Sequence, residues 1–286
     1  DHPLAVPASP SLEATRALIA GARQVLAVGT ELGPTDYDMY VRGGFPDISG
    51  MIRIDLCAAQ LARHPAEVPL QGEAAAVLAA LTPLVARKSG LGAERAAAAR
   101  DVARAELFGL DPLMPGRLDL VECIRAALPK ALIVGDSTQP IYAANLFYDH
   151  DRPGGYFNAA TGFGALGYGP GAAVGAALAA PGSEVVCLIG DGGLQFSPGE
   201  LRTAVDEGLP ITFLIWNNAA FAEIADAMRE AKTEVIGCAP SPLRMEGFAE
   251  ACDLPFMSVP QDVETLHWAL GQPHKGPRLI EIRVKL

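Results

Sequence analysis

The sequence is short of several things, and each shortage narrows what it can be. It has no apolar run of the roughly 20 residues that a membrane-spanning helix needs. Its opening residues lack the basic and apolar succession of a secretory leader. Basic residues are scarce, 22 Lys and Arg against 33 Asp and Glu, for a formal net charge of −11. That balance argues against nucleic acid or an anionic membrane as the main partner. The five cysteines (Cys57, Cys123, Cys187, Cys238 and Cys252) form no C-x-x-C pair and are scattered through apolar segments. They read as small buried hydrophobes of a protein in the reducing cytoplasm. His64, His150, His267 and His274 fall in no metal-ligand spacing. What is present is a chain of 286 residues, half of them hydrophobic, long enough for about two ordinary domains.

The stretch that organises the chain runs from Val185 to Asn218. An apolar run, Val185 to Ile189, breaks at Gly190-Asp191-Gly192-Gly193; a segment with helical rhythm follows from Pro198 to Glu207; a second apolar run, Ile211 to Trp216, stops at Asn217-Asn218. Two short apolar runs around a helical pattern predict a βαβ unit in a parallel sheet. Both polar clusters then lie at carboxyl ends of strands, where open α/β sheets bind ligands. Neighbouring parallel strands would bring Asp191 and Asn218 together. A carboxylate and an amide oxygen are hard donors, suited to Mg²⁺ or Ca²⁺. Gly190, Gly192 and Gly193 let the backbone approach something bulky and present N–H groups to an anion such as phosphate.

Gly190-Asp191-Gly192, then one intervening helix, then Asn217-Asn218 resembles the signature of the thiamine diphosphate enzymes, the superfamily of pyruvate decarboxylase and acetolactate synthase. The resemblance implies a doubly wound α/β fold, thiamine diphosphate and Mg²⁺ as cofactors, and decarboxylation or carboligation of a 2-oxo acid. It implies Asp191, Asn218 and the Ala220 carbonyl as metal ligands, with Gly192 and Gly193 donating to the diphosphate. By position, Gly135-Asp136-Ser137-Thr138-Gln139 is similar to the first diphosphate-contacting loop, so Thr138 or Gln139 is expected to donate to a phosphate; a helix cap is the other reading of that segment. Leu166 matches the aliphatic prop under the bent cofactor, and Gly164 matches the residue whose carbonyl accepts from the cofactor's exocyclic amine.

The loop Gly162-x-Gly164-x-x-Gly167, with Asp191 further on, also spells the dinucleotide fingerprint, so a nicotinamide-dependent oxidoreductase is the rival reading. That fingerprint requires a strand directly before its first glycine. The preceding residues, Arg152 to Ala160, instead contain a proline and two glycines. The fingerprint also leaves the paired asparagines without a role.

Upstream, Val25 to Val28 with Gly29-Thr30, Ile52 to Leu56 with Asp55, and Val68 onward alternate with helix-like segments, predicting another parallel sheet. The expected organisation is a partial Rossmann-like middle domain over 1–88, a linker with a helix (roughly Ala93 to Phe108) over 89–117, and a diphosphate- and Mg-binding domain over 118–286. Gly29, Thr30, Glu31 and Asp55 could serve a nucleotide, but FAD is not expected. The resemblance implies that the pyrimidine-binding domain and its catalytic glutamate lie upstream. The 286 residues are then expected to be inactive alone, or to serve a partner chain that carries the glutamate. The small-residue segment Gly171 to Ala180 suits close helix packing, and a homodimer or tetramer is expected. The segment Phe221 to Lys232 reads as an amphipathic helix and resembles the 2-ketoarginine decarboxylase branch, where Ile224, Asp226 and Met228 match in register. Glu223 and Asp226 are the candidates to pair with a cationic substrate tail, a solvated charged face being the alternative.

Overall fold

The computed structural model describes residues 2–33, 47–48, 50–86, 90–159 and 162–284. They form two compact units, residues 1–111 and 112–286. The expected boundary at 88/89 falls among residues outside those described. The helix expected over Ala93 to Phe108 spans Gly92–Leu110 and belongs to the first unit. There Glu106 accepts the backbone N–H groups of Glu13 and Ala14 at 2.8 and 3.0 Å.

In the first unit β1 (Leu26–Val28), β2 (Ile52–Asp55) and β3 (Val68–Gln71) pair in parallel in that order. The polar groups at its strand ends are engaged locally. The Thr30 carbonyl accepts from the Arg53 guanidinium at 3.0 Å, and Asp55 accepts the Cys57 N–H at 2.8 Å. Glu31 reaches Arg63 and Gln60.

The second unit is a six-stranded sheet with order β5-β4-β6-β7-β9-β8, every pairing parallel. The strands are β4 (Leu132–Gly135), β5 (Tyr156–Asn158), β6 (Val185–Gly190), β7 (Ile211–Asn217), β8 (Phe256–Pro260) and β9 (Arg278–Arg283). β6 and β7 lie at the centre and read as near-continuous apolar runs because both faces are covered by helices; the exception, buried Thr212, accepts from the Arg278 guanidinium at 2.9 Å. Alternate residues feed opposite layers. Val186, Leu188, Leu214 and Trp216 pack on one side; Val185, Cys187, Ile189, Phe213 and Ile215 pack on the other. Each such side chain contributes about 1.5–3 kcal/mol through burial.

The small-residue helix, Tyr168–Ala179, packs within the chain against β4 and β6. A methyl group at Gly169 would stand 3.1 Å from the Cys187 sulfur, so small residues there permit close helix–sheet contact. The expectation of buried cysteines holds for Cys123, Cys187 and Cys238, whereas Cys252 is half-buried and Cys57 is exposed. Among the described residues, no helix is long and apolar enough to cross a membrane.

Candidate active site

The register of the two central strands sets the site. Gly190 lies beside Trp216 across the β6–β7 pairing, so the chain leaves both strands at the same level. Asp191 opens the short helix Asp191–Leu194 and is 5% exposed; Asn218 follows β7 and is 8% exposed. The two meet, with the Asn218 backbone N–H donating to the Asp191 carboxyl. Burial holds the Asp191 carboxyl above the usual carboxylate range and the nearby Glu281 pushes the same way, while backbone N–H groups pull it back.

Asp191 and Asn218 line a cleft of about 260 Å³. Its walls also include Ala220, Gly190, Gly192 and Gly193 from the two central strand ends, and Thr138 and Gln139 from the loop after β4. Gly164, Leu166 and Glu223 complete the convergence. Asp226 is not brought there: it is ion-paired with Arg229 on the exposed face of the helix Ala222–Glu230. One turn on from Glu223 it shares that side of the helix, but the cleft lining ends at Ile224, so Asp226 lies beyond its rim.

The loop after β4 holds the glycine segment in place. Asp136 is fully buried, and its carboxyl accepts the N–H of Ser137 at 2.8 Å and of Gly169 at 2.7 Å. It therefore ties the amino end of the helix Tyr168–Ala179 to the sheet, where the helix dipole favours negative charge. Burial raises its pKa, and these N–H groups with those of Gly167 and Tyr168 oppose the rise. Of the two readings of this segment, a cap is therefore present, but on the distant helix rather than the adjacent one. Ser137 donates from Oγ to the Gly164 carbonyl at 2.9 Å. That oxygen keeps its second lone pair for another donor. Gly167 has φ 82°, a left-handed conformation that glycine adopts without strain.

Several features differ from the sequence expectation. Gln139 does not offer a free amide. Its Oε1 accepts from the Trp216 indole at 3.0 Å and its Nε2 donates to Glu223 at 2.8 Å. Gln139 therefore orients Glu223, and its capacity to bind a phosphate is reduced to one remaining N–H. Gly192 is needed for more than ligand approach, because a Cβ there would lie 2.5 Å from the Phe221 ring.

The absence of a strand before Gly162 is also corrected. β5 occupies Tyr156–Asn158, immediately after the turn made by Pro153, Gly154 and Gly155, and three residues suffice at a sheet edge. The rival fingerprint still fails in space, because β4 separates β5 from β6, the strand leading to Asp191. Tyr142, Trp216 and Phe221 also line the cleft. Trp216 and Phe221 flank the paired asparagines in sequence, which was the available signal; Tyr142 gave none.

The chain matches the family model "Thiamine pyrophosphate enzyme, C-terminal TPP binding domain" over residues 135–282. It belongs to the thiamine pyrophosphate enzyme family. The match covers both strand-end clusters and the glycine loop. The probable 2-ketoarginine decarboxylase of Pseudomonas aeruginosa is 36% identical over 293 residues, spanning 99% of this chain and 51% of that protein. The benzoylformate decarboxylase of the same organism is 31% identical over 72% of this chain and 38% of its own length. Acetolactate synthase isozyme 1 large subunit of Escherichia coli is 29% identical over 82% of this chain and 42% of its own length. Among solved structures, the thiamine diphosphate-dependent 4-hydroxybenzoylformate decarboxylase of Rhodococcus jostii RHA1 superposes with a TM-score of 0.67 at 22% identity, over 94% of this chain and 50% of that chain. It shares the fold. The chain spans about half the length of the curated P. aeruginosa 2-ketoarginine decarboxylase.

The donor set fits a small hard cation. Among the described residues no three His, Cys, Asp or Glu side chains gather around a common point. Asp191 instead supplies one carboxylate, with the Asn218 amide oxygen and the Ala220 carbonyl in the same cleft. Few protein ligands with room for phosphate oxygens and water is how Mg²⁺ is usually held.

Proposed function

We propose that this chain is the diphosphate- and cation-binding part of an enzyme that decarboxylates a 2-oxo acid, using thiamine diphosphate with Mg²⁺. The observation that carries the reading is the convergence of Asp191, Asn218 and Ala220 with three glycines in one cleft. Bound there, thiamine diphosphate supplies the electron sink that takes up the electron pair left by departing CO₂. Asp191, Asn218 and the Ala220 carbonyl would hold the cation. The N–H groups of Gly192 and Gly193 and the Thr138 hydroxyl would face the diphosphate. Leu166 would support the cofactor from below, and the Gly164 carbonyl would accept from its amine. The burial of Asp191 and Asn218 limits bulk-water screening around them, which would strengthen their interaction with a cation there.

For the substrate we propose a 2-oxo acid with a cationic tail. Glu223 lines the cleft with its carboxylate oriented by Gln139, and a guanidinium-bearing acid would complete the pair. The similarity to a probable 2-ketoarginine decarboxylase supports this choice. Activation of the cofactor calls for an acid beside its pyrimidine ring; we assign that group to a domain or partner outside these residues, and oligomerisation to the whole protein. Calorimetric titration with thiamine diphosphate tests the reading: binding that requires Mg²⁺ is expected, and binding indifferent to Mg²⁺ and to Asp191→Asn would refute it. Decarboxylation by the 286 residues alone would refute the assignment of the missing acid.

A further inference from the structure

The first asparagine of the pair does not line the cleft, and its partners explain why it is there. Asn217 ends β7, and its side-chain Nδ2 donates to Glu281 Oε1 at 2.6 Å. Glu281 lies on β9, is 9% exposed, and accepts a second bond on Oε2 from Ser258 Oγ, also 2.6 Å. A carboxylate only accepts, so it fixes which end of the Asn217 amide faces it. The amide oxygen must then point the other way, where it accepts the Ala219 N–H at 3.1 Å.

Ala219 has φ 52°, a left-handed conformation that costs a residue with a Cβ. It sits between Asn218 and Ala220, and Asn218 Oδ1 accepts the Ala220 N–H at 3.1 Å. The turn that carries both candidate oxygen donors is thus strained at its centre. It is held by one amide whose orientation is set from a strand remote in sequence. If that amide flipped, its oxygen would face the Glu281 carboxylate and Ala219 would lose its acceptor.

We propose that Glu281 is a positioning residue for the cation site, acting through Asn217 to lock Ala219 left-handed and so aim Asn218 and the Ala220 carbonyl into the cleft. This rests on the cation reading above for its functional consequence; the locking of the turn stands on the hydrogen bonds alone. Ser258 anchors the outer oxygen of Glu281 and completes the relay from β8 through β9 to the end of β7.

The experiment uses the 286-residue chain with two readouts: amide hydrogen exchange at Ala219, and Mn²⁺ affinity by electron paramagnetic resonance with thiamine diphosphate present. In Glu281→Leu, exchange at Ala219 is expected to rise about tenfold while Phe213 and Leu214 keep their protection, with Mn²⁺ bound about tenfold more weakly. Glu281→Gln, which can present its oxygen to Asn217 and its amide to Ser258, restores both. Combining Glu281→Leu with Asn217→Ala weakens Mn²⁺ no further than the worse single change, the coupling expected of residues acting in series. Ser258→Ala, a mild change in case the leucine variant misfolds, gives about a threefold rise in exchange. Unchanged exchange at Ala219 in the Glu281 and Ser258 variants, or additive losses of Mn²⁺ affinity, would overturn the proposal. A wild-type chain that binds no Mn²⁺ while Ala219 still responds to Glu281 would uphold the locked turn and sink the cation reading.

Discussion

Replacing Asp191 by Asn keeps the shape of the side chain and removes the one charge that the candidate cation site draws from the protein. Asp191 is 5% exposed, so water screens its field poorly. Removing one partner from a buried charge pair typically costs about 3–5 kcal/mol. At 1.4 kcal/mol per factor of ten, that is a loss of about 100-fold or more in cation affinity. Thermal melting reads this directly. With Mg²⁺ and thiamine diphosphate at about 100 times the wild-type dissociation constant, the wild-type chain gains about 2.7 kcal/mol. For a unit of this size that moves Tm by about 5–10 °C. At the same concentrations Asp191→Asn gains about 0.4 kcal/mol or less, near 1 °C. Without ligand the variant should melt no lower than wild type, because burial disfavours the charged form of Asp191 and the asparagine carries no charge. A different role for Asp191 is to stabilise the amino end of the helix that it opens, Asp191–Leu194, with no cation involved. It predicts a lower Tm for the ligand-free variant and an undiminished ligand shift, and that result would refute the reasoning.

Three further expectations follow from the geometry. Gly192→Ala drives a methyl group against the Phe221 ring and should cost about 1–3 kcal/mol in denaturant unfolding; pairing it with Phe221→Ala should recover part of that loss, and a neutral Gly192→Ala would contradict the contact. Asp136 and Asp191 both have folded pKa values raised by burial, so their contribution is full below the unfolded value of about 3.9 and is lost as pH rises through the folded values. The ligand-free Tm of Asp191→Asn relative to wild type should therefore increase with pH across that window, and a pH-independent difference would speak against it. In the whole protein, Glu223→Gln should lower kcat/KM for 2-ketoarginine about tenfold or more while leaving pyruvate turnover little changed; equal losses on both would remove Glu223 from substrate recognition.

The parts of this molecule legible in its sequence were those fixed by local pattern. β6 and β7 announce themselves because a parallel strand covered on both faces is nearly continuously apolar, and their ends are marked by abrupt glycine and asparagine. From those two ends alone the meeting of Asp191 and Asn218 could be anticipated. β5 was hidden, since three residues behind a proline and two glycines carry no periodicity. Gln139 looks like a free ligand donor in the sequence because nothing local reveals that Glu223, far along the chain, takes one of its N–H groups while the Trp216 indole fixes its oxygen. The same holds for Asn217 and Glu281, whose bond spans two strands adjacent only in the folded sheet. Glu223 and Asp226 divide between the two readings offered for them: Glu223 lines the cleft, while Asp226 pairs with Arg229 on the solvated face, a choice that helical spacing alone leaves open because residues three apart share a face.

The central claim is that one divalent ion joins Asp191 and Asn218 to a diphosphate. Pulsed electron paramagnetic resonance on the chain loaded with Mn²⁺ and thiamine diphosphate tests it most directly. The account predicts a ³¹P hyperfine coupling from phosphate oxygens bound to the metal, present in wild type and lost in Asp191→Asn. Bound Mn²⁺ with no ³¹P coupling, or a coupling that survives the loss of Asp191, would contradict it.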